Sequence, residues 1–173
     1  MTRVLARIVA VAALSALLAG CNLRPLYAGG TSGVVASELG HVEIEPIAGK
    51  AGGLVRNALK DQLEAFEGQE VKYRLTIVLE DKIAGFGVRS DDRITRERRT
   101  LRARYQLVRL SDSVVVLEAT AGSDAGIDVV SSEYATLAAE DTALENLATR
   151  VSNQIVTRLS LFARTEASAS PEP

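Results

Sequence analysis

In Leu101-Arg102-Ala103-Arg104-Tyr105-Gln106-Leu107, apolar and polar side chains alternate with a period of two. Leu101, Ala103, Tyr105 and Leu107 therefore share one face of a strand, and Arg102 and Arg104 the other. Carried back toward Ile94, the same alternation adds Arg96 and Arg98 to the charged face and predicts a strand over about 94–110. A strand that is apolar on one side only needs a second layer on that side.

The neighbouring segments extend the sheet. Leu110-Ser111-Asp112 turns the chain into a further strand over about 113–121. A three-residue turn closed by Arg109 and Ser113 would pair Leu107 with Val115, Tyr105 with Leu117 and Arg104 with Glu118. A slip of two residues would keep every face and lose the Arg104–Glu118 match. Upstream, Tyr73, Leu75, Ile77 and Leu79 alternate with Arg74, Thr76 and Glu80, a strand predicted to break at Gly85-Phe86-Gly87. Val42 to Ile47 reads as a short strand whose Pro46 suits an edge or an end.

Two segments change period. After Gly52-Gly53, a predicted break, Val55, Leu59, Leu63 and Phe66 recur at helical spacing, and Gly68 closes that helix. Ser131-Ser132 offers an N-cap for a longer helix with Leu137, Leu144, Leu147, Val151, Ile155, Leu159 and Phe162 in one stripe, interrupted by Asp141. Its acidic residues gather in the first half and Arg150, Arg158 and Arg164 in the second, the sense the helix dipole favours. The fold class is α+β: a sheet of about four strands in the order β-α-β-β-β-α, with two helices packed on one face. One domain is expected over 42–163, with a polar, disordered tail over 164–173.

The 173 residues are 47% hydrophobic and 24% charged, a globular balance. A net charge of −2 argues against a dedicated nucleic-acid binder. One Cys cannot form an internal disulfide, and one His cannot build a His-rich metal site, so no cofactor or metal is expected.

Met1 to Gly20 carries Arg3 and Arg7 and then the apolar run Ile8 to Leu18, the profile of a secretory signal peptide. Eleven helical residues reach about 16 Å, roughly half a bilayer's hydrocarbon core. Leu18-Ala19-Gly20-Cys21 resembles a bacterial lipobox, in which the thiolate accepts a diacylglycerol and cleavage precedes the Cys. The alternative is an ordinary cleavage site beside an incidental Cys. Lipidation of Cys21 accounts for a lone thiol in an exported chain, and two or more acyl chains anchor stably. The chain from Cys21 onward carries 18 basic and 22 acidic residues, a net of −4. Residues 21–41 read as a tether, and Asn22, in place of the Asp of inner-membrane retention, fits an outer-membrane address.

Phe86 to Leu110 holds eight Arg against Asp91, Asp92 and Glu97, a segment of +5 in a net-negative chain. Same-face neighbours on a strand lie about 6.6 Å apart, where two charges repel by roughly 0.6 kcal/mol in water. That cost is compatible with a merely solvated face that discourages edge aggregation. It is equally compatible with planar guanidinium groups gathered to meet phosphates or carboxylates. Arg96, Arg98, Arg102 and Arg104 are the candidate contacts.

Enzymatic readings find little support. His41 sits in the approach segment, Cys21 is blocked if acylated, Asp91-Asp92 lies in a polar turn, and Gly85-Phe86-Gly87 lacks the strand-to-helix setting of a phosphate loop. No catalytic residue is expected.

Cys21-Asn22-Leu23-Arg24-Pro25-Leu26-Tyr27 resembles the mature start of the lipopolysaccharide (LPS) assembly lipoprotein LptE family in its alphaproteobacterial form, where Cys-Gly-Phe-Arg-Pro-Leu-Tyr is typical. Asn22 and Leu23 depart from it. Leu54-Val55-Arg56-Asn57-Ala58-Leu59 is similar to the family's first helix, and Tyr134 to Asp141 with its continuation to the second. The resemblance implies a non-enzymatic, lipid-anchored protein on the periplasmic side of the outer membrane. Its implied partners are the LptD β-barrel, which it plugs and supports, and LPS on its way to the outer leaflet. A generic periplasm-facing lipoprotein adaptor with no LPS role is the alternative.

Overall fold

The computed structural model describes residues 39, 41–63, 70–88 and 94–169. The signal segment, Cys21 and most of the tether lie outside them, as do Phe66, Gly68, Asp91 and Asp92. The elements run β1 (Val42–Ile44), α1 (Gly49–Leu63), β2 (Tyr73–Val88), β3 (Ile94–Arg109), β4 (Val114–Asp128) and α2 (Glu133–Ala169). The four strands form one mixed sheet in the order β1-β2-β3-β4, with β1 parallel to β2 and the other pairs antiparallel. Both helices pack on one face, so the α+β architecture expected from the alternation is the one observed.

Odd-numbered residues of β2 and β3 supply the floor of the core. Leu75, Leu101, Ala103, Tyr105 and Leu107 are almost completely buried beneath α1 and α2. From above, α1 contributes Val55, Leu59 and Leu63, and α2 contributes Leu144, Leu147, Val151, Ile155 and Leu159. Ser152 Oγ donates to the Val55 carbonyl at 3.2 Å, satisfying a buried hydroxyl where the helices cross. The Tyr73 and Phe162 rings meet edge to face with centroids 5.9 Å apart.

Several boundaries differ from expectation. Gly52-Gly53 does not break the chain: α1 begins at Gly49, whose φ is +81°, and runs straight through both glycines. A Cβ on Gly52 would fall 2.5 Å from the Ile47 carbonyl oxygen, so glycine is needed for that close approach. The helix-propensity cost of about 1 kcal/mol is accepted for packing. Nor does Gly85-Phe86-Gly87 end β2. The ladder to β3 continues through Gly85↔Glu97 and Phe86↔Arg96 to Val88↔Ile94, and these cross-strand bonds outweigh the weak strand preference of glycine.

The β3–β4 hairpin departs most. Leu107 faces Leu117, Tyr105 faces Ala119 and Arg104 faces Thr120, not Val115, Leu117 and Glu118. Two insertions add up to this two-residue shift. The turn holds four residues between Arg109 and Val114, with Ser113 at φ 59°, and a bulge between Leu107 and Val108 adds one more. From Leu107 back along β3 the shift is even and the faces are preserved. Beside the turn, where Val108 faces Val115 and Arg109 faces Val114, it is a single residue, and Val115 is exposed rather than packed against Leu107. β4 also runs on to Asp128 rather than stopping near Ala121.

At the other end of the fold, Ser132 caps α2 as expected, with Oγ 3.4 Å from the Ala135 amide. Leu137 is 54% exposed and does not join the core: the buried positions at the start of α2 are Thr136, Ala143 and Leu144, a stripe that passes to one side of it. Asp141 takes its place in the sequence stripe for a reason, since Lys50 Nζ at the start of α1 bonds its Oδ1 at 2.7 Å. The helix continues to Ala169 instead of fraying at Arg164, and Ser168 Oγ donates to the Arg164 carbonyl. Arg164 consequently lies more than a turn inside the helix, and the last turn carries no base.

Candidate functional site

The helix-free face of the sheet is built from the even-numbered residues of β2, β3 and β4. Arg96, Arg98, Arg102 and Arg104 all project there and are exposed, as parity requires. The structure thus brings the four sequence-selected arginines onto one surface, but in two different environments.

Arg96 and Arg98, toward the β2–β3 turn, are already engaged. Arg96 Nε donates to Asp128 Oδ1 at 3.0 Å, and the Arg98 guanidinium carbon stands 5.2 Å from the centroid of the Phe86 ring, a cation–π contact. Arg102 and Arg104 have no ion pair among the described residues. Arg102 sits between Glu80 on β2 and Gly122 on β4, and Arg104 between Val78 and Thr120. Gly122 matters to Arg102, because a Cβ there would press to 3.3 Å against the Arg102 Cγ. Its absence gives the arginine stem room across β4.

Around this pair the sheet is concave. A shallow cavity of about 720 Å³ is edged by Glu80, Thr100, Arg102, Arg104, Thr120 and Asp124. Thr100 Oγ1 donates to Asp124 Oδ1 at 2.5 Å, which occupies that carboxylate. Glu80 bonds Lys82, and its carboxyl is held below the usual carboxylate range, first by the Lys82 hydrogen bond and charge, with smaller help from Arg102 and Arg104. Toward β1 the face is neutralised, with Arg74 Nε 3.6 Å from both Glu43 and Glu45. The net result is an exposed cationic centre between two self-compensated flanks.

Not every arginine of the basic segment belongs to this surface. Arg99 points the other way, under the start of α2. Its Nε and Nη2 bond Asp81 at 2.9 and 2.6 Å, and its Nη1 donates to the Glu140 carbonyl. Arg109 pairs with Asp112 at 3.1 Å and approaches Glu166. Arg89 and Arg93 lie outside the described residues. Sequence reasoning missed Phe86, Thr100, Asp124 and Gly122 as members of the face. Phe86 and Thr100 share the parity of Arg96 and were findable on that ground, whereas Gly122 and Asp124 needed the β4 register.

His41 is no part of the face: its Nδ1 lies 2.5 Å from the Glu70 carbonyl oxygen near the β1–β2 junction. Among the described residues, no three His, Cys, Asp or Glu side chains gather as a metal site, and no helix is long and apolar enough to cross a membrane.

Residues 39–159 match the family model for lipopolysaccharide assembly, LptE. The fold is similar to a crystal structure of a candidate lipoprotein from Caulobacter crescentus, with a TM-score of 0.60 at 20% identity, covering 78% of this chain and 98% of that one. It is also similar to the rare lipoprotein B of Shewanella oneidensis, with a TM-score of 0.55 at 9% identity over 74% and 97% of the two chains. The solution structure of a lipoprotein B from Nitrosomonas europaea gives a TM-score of 0.57 at 12% identity over 76% and 89%. At such identities these likenesses speak for the fold. No curated protein sequence matches the chain.

Proposed function

We propose that this chain, which belongs to the LptE lipopolysaccharide-assembly family, is an outer-membrane lipoprotein that partners and plugs the LptD β-barrel and assists LPS on its way to the outer leaflet, without catalysing a reaction. Cys21 is the acylated residue that tethers it to the periplasmic side of the membrane. The observation that carries the reading is the cationic centre formed by Arg102 and Arg104 over the concave, helix-free face.

The chemistry is electrostatic and geometric. Two exposed guanidinium groups on one strand, roughly 6.6 Å apart at their stems, present flat forks to phosphate or carboxylate oxygens. The lipid A and core sugars of LPS carry such anions, and so do acidic side chains in the lumen of a barrel. β1 enters the sheet beside Tyr73, whereas Arg96 lies opposite Phe86 near the far end of β2. Arg104 and Arg102 lie opposite Val78 and Glu80, about 17 and 23 Å along β2 from Tyr73. The helices are free to fill space behind the sheet while the arginine face meets its partner.

Two measurements test this. The tagged, natively expressed protein should co-purify with a large outer-membrane β-barrel, and mass spectrometry should find Cys21 acylated. Recovery as a barrel-free species after delipidation would favour the adaptor alternative. Replacing Arg96, Arg98, Arg102 and Arg104 together with Gln should weaken LPS binding by about tenfold or more at low salt, since each exposed pair contributes up to about 1 kcal/mol. The difference should shrink as salt rises. Unchanged binding at low salt would remove the arginine face from the proposal.

A further inference from the structure

The outer edge of β4 is unpaired over its whole length among the described residues, since β4 closes the sheet. One point on that edge is already occupied, and it shows what the edge accepts. Gln154 on α2 takes a hydrogen bond from the Gly122 amide at 3.1 Å and returns one to the Gly122 carbonyl at 3.1 Å. That reciprocal exchange is the one a residue of an added antiparallel strand would make. It also fixes the outward direction: in β4 the even residues turn their backbone groups away from β3. Val129, an odd residue just past β4, accordingly sends its amide to Thr95 of the β3 side.

Beyond the clamp, the groups of Asp124, Gly126 and Asp128 face outward with no such substitute. Beside them lies a groove of about 420 Å³ between β4 and α2, walled by Ala125, Ala138, Ala139, Thr142 and Ala143 and closed toward the clamp by Asn146 and Arg150. Thr142, Asn146, Arg150 and Gln154 fall four residues apart on one stripe of α2. Only the last reaches the edge as a strand mimic, and the small residues before it leave space the width of side chains. On the opposite, helix-free side, the same edge presents Glu118, Asp124 and Asp128 and no base of its own. Thr100 and Arg96 on β3 engage Asp124 and Asp128 through Oδ1 alone, which leaves each Oδ2 to an incoming cation.

We propose that the β4 edge from Asp124 to Asp128 is a strand-addition site for an extended segment of another protein, apolar on the side that meets the α2 groove and basic on the side that meets Asp124 and Asp128. Main-chain bonds to Asp124, Gly126 and Asp128 supply the pairing, and alternate side chains supply the discrimination. A second copy of β4 is the poorer occupant, because it would set acidic side chains alongside acidic ones. Gln154 limits the site, stopping an incoming strand short of Gly122.

The test uses the isotope-labelled protein and a capped seven-residue peptide of alternating valine and lysine. Amide shifts should concentrate at 124–128 and 138–146. N-methylation of alternate peptide nitrogens should weaken binding at least tenfold, and glutamate in place of lysine at least fivefold. Gln154→Ala frees Gly122 and should tighten binding about threefold, while Thr142→Trp fills the groove and should remove it. Equal affinity for the N-methylated or glutamate peptide, shifts centred elsewhere, or concentration-dependent self-pairing through β4 would each overturn the proposal.

Discussion

Arg99 and Arg102 stand three residues apart on the same strand and live in different chemistry. Arg99 is 11% exposed, clasped by both oxygens of Asp81 and by the Glu140 carbonyl. The Asp81 hydrogen bond, ahead of the opposing desolvation, pushes its pKa up from an already high value. Arg102 is exposed, and its neighbours across the ladder are a glycine and a glutamate already bonded to Lys82. Strand parity alone sends one inward to hold α2 onto the sheet and the other outward to an open concavity. A charge total for the segment therefore overstates what a ligand can meet, because the inward arginine and those matched to Asp128 and Asp112 are spoken for.

The sharpest way to break the contrast is to damage each side of β3 in turn. Leu101→Ala removes a fully buried side chain and should cost about 2–5 kcal/mol in urea unfolding. Arg102→Ala, one position on, should stay within about 0.5 kcal/mol. A comparable loss at both would mean the helix-free face is covered in the protein as it exists. Asp81→Asn comes next. Stripping a charged, largely enclosed guanidinium of its anion should cost about 2 kcal/mol, whereas Glu80→Gln on the other face should be nearly silent.

Much of this is legible in the sequence, and the reason is physical. Alternation in β2 and β3 records which side is buried, so the core residues and the four outward arginines follow directly. Register is another matter. It depends on how many residues a turn holds, and Ser113 adopts a left-handed φ with no glycine or asparagine to signal it. The Leu107/Val108 bulge is equally unmarked. Because the pairing of Arg96 with Asp128 spans 32 residues, the distinction between engaged and available arginines could not be reached from the chain alone. Gly52 misled for the converse reason, since its role is set by the Ile47 backbone it must approach.

A buried phenol sharpens the inner side of the comparison by pH. Burial raises the Tyr105 pKa, with the Arg158 charge acting weakly the other way. A group whose folded pKa is raised contributes stability that is intact below its unfolded value, about 10, and is lost as pH rises through the folded one. Unfolding curves taken from pH 8 to 11 should show the wild type losing stability faster than Tyr105→Phe, with the two similar at pH 8. Parallel decline would assign the alkaline loss to other groups.

The smallest effect probes the outer face. Glu80 is exposed and its carboxyl is lowered chiefly by Lys82, with Arg102 and Arg104 contributing least. Lys82→Ala should therefore return the Glu80 titration, followed by side-chain NMR, most of the way to an ordinary glutamate, and Arg102→Gln or Arg104→Gln should move it only slightly. The sign has a consequence for ligands: Glu80 stays ionised until pH falls below the usual carboxylate range, and only then does the concavity gain a further unit of positive charge and hold anions more tightly. If the arginine substitutions proved the larger, the guanidinium groups would be bound up with Glu80 rather than open to a phosphate, and the difference between Arg99 and Arg102 would reduce to a choice between two carboxylates.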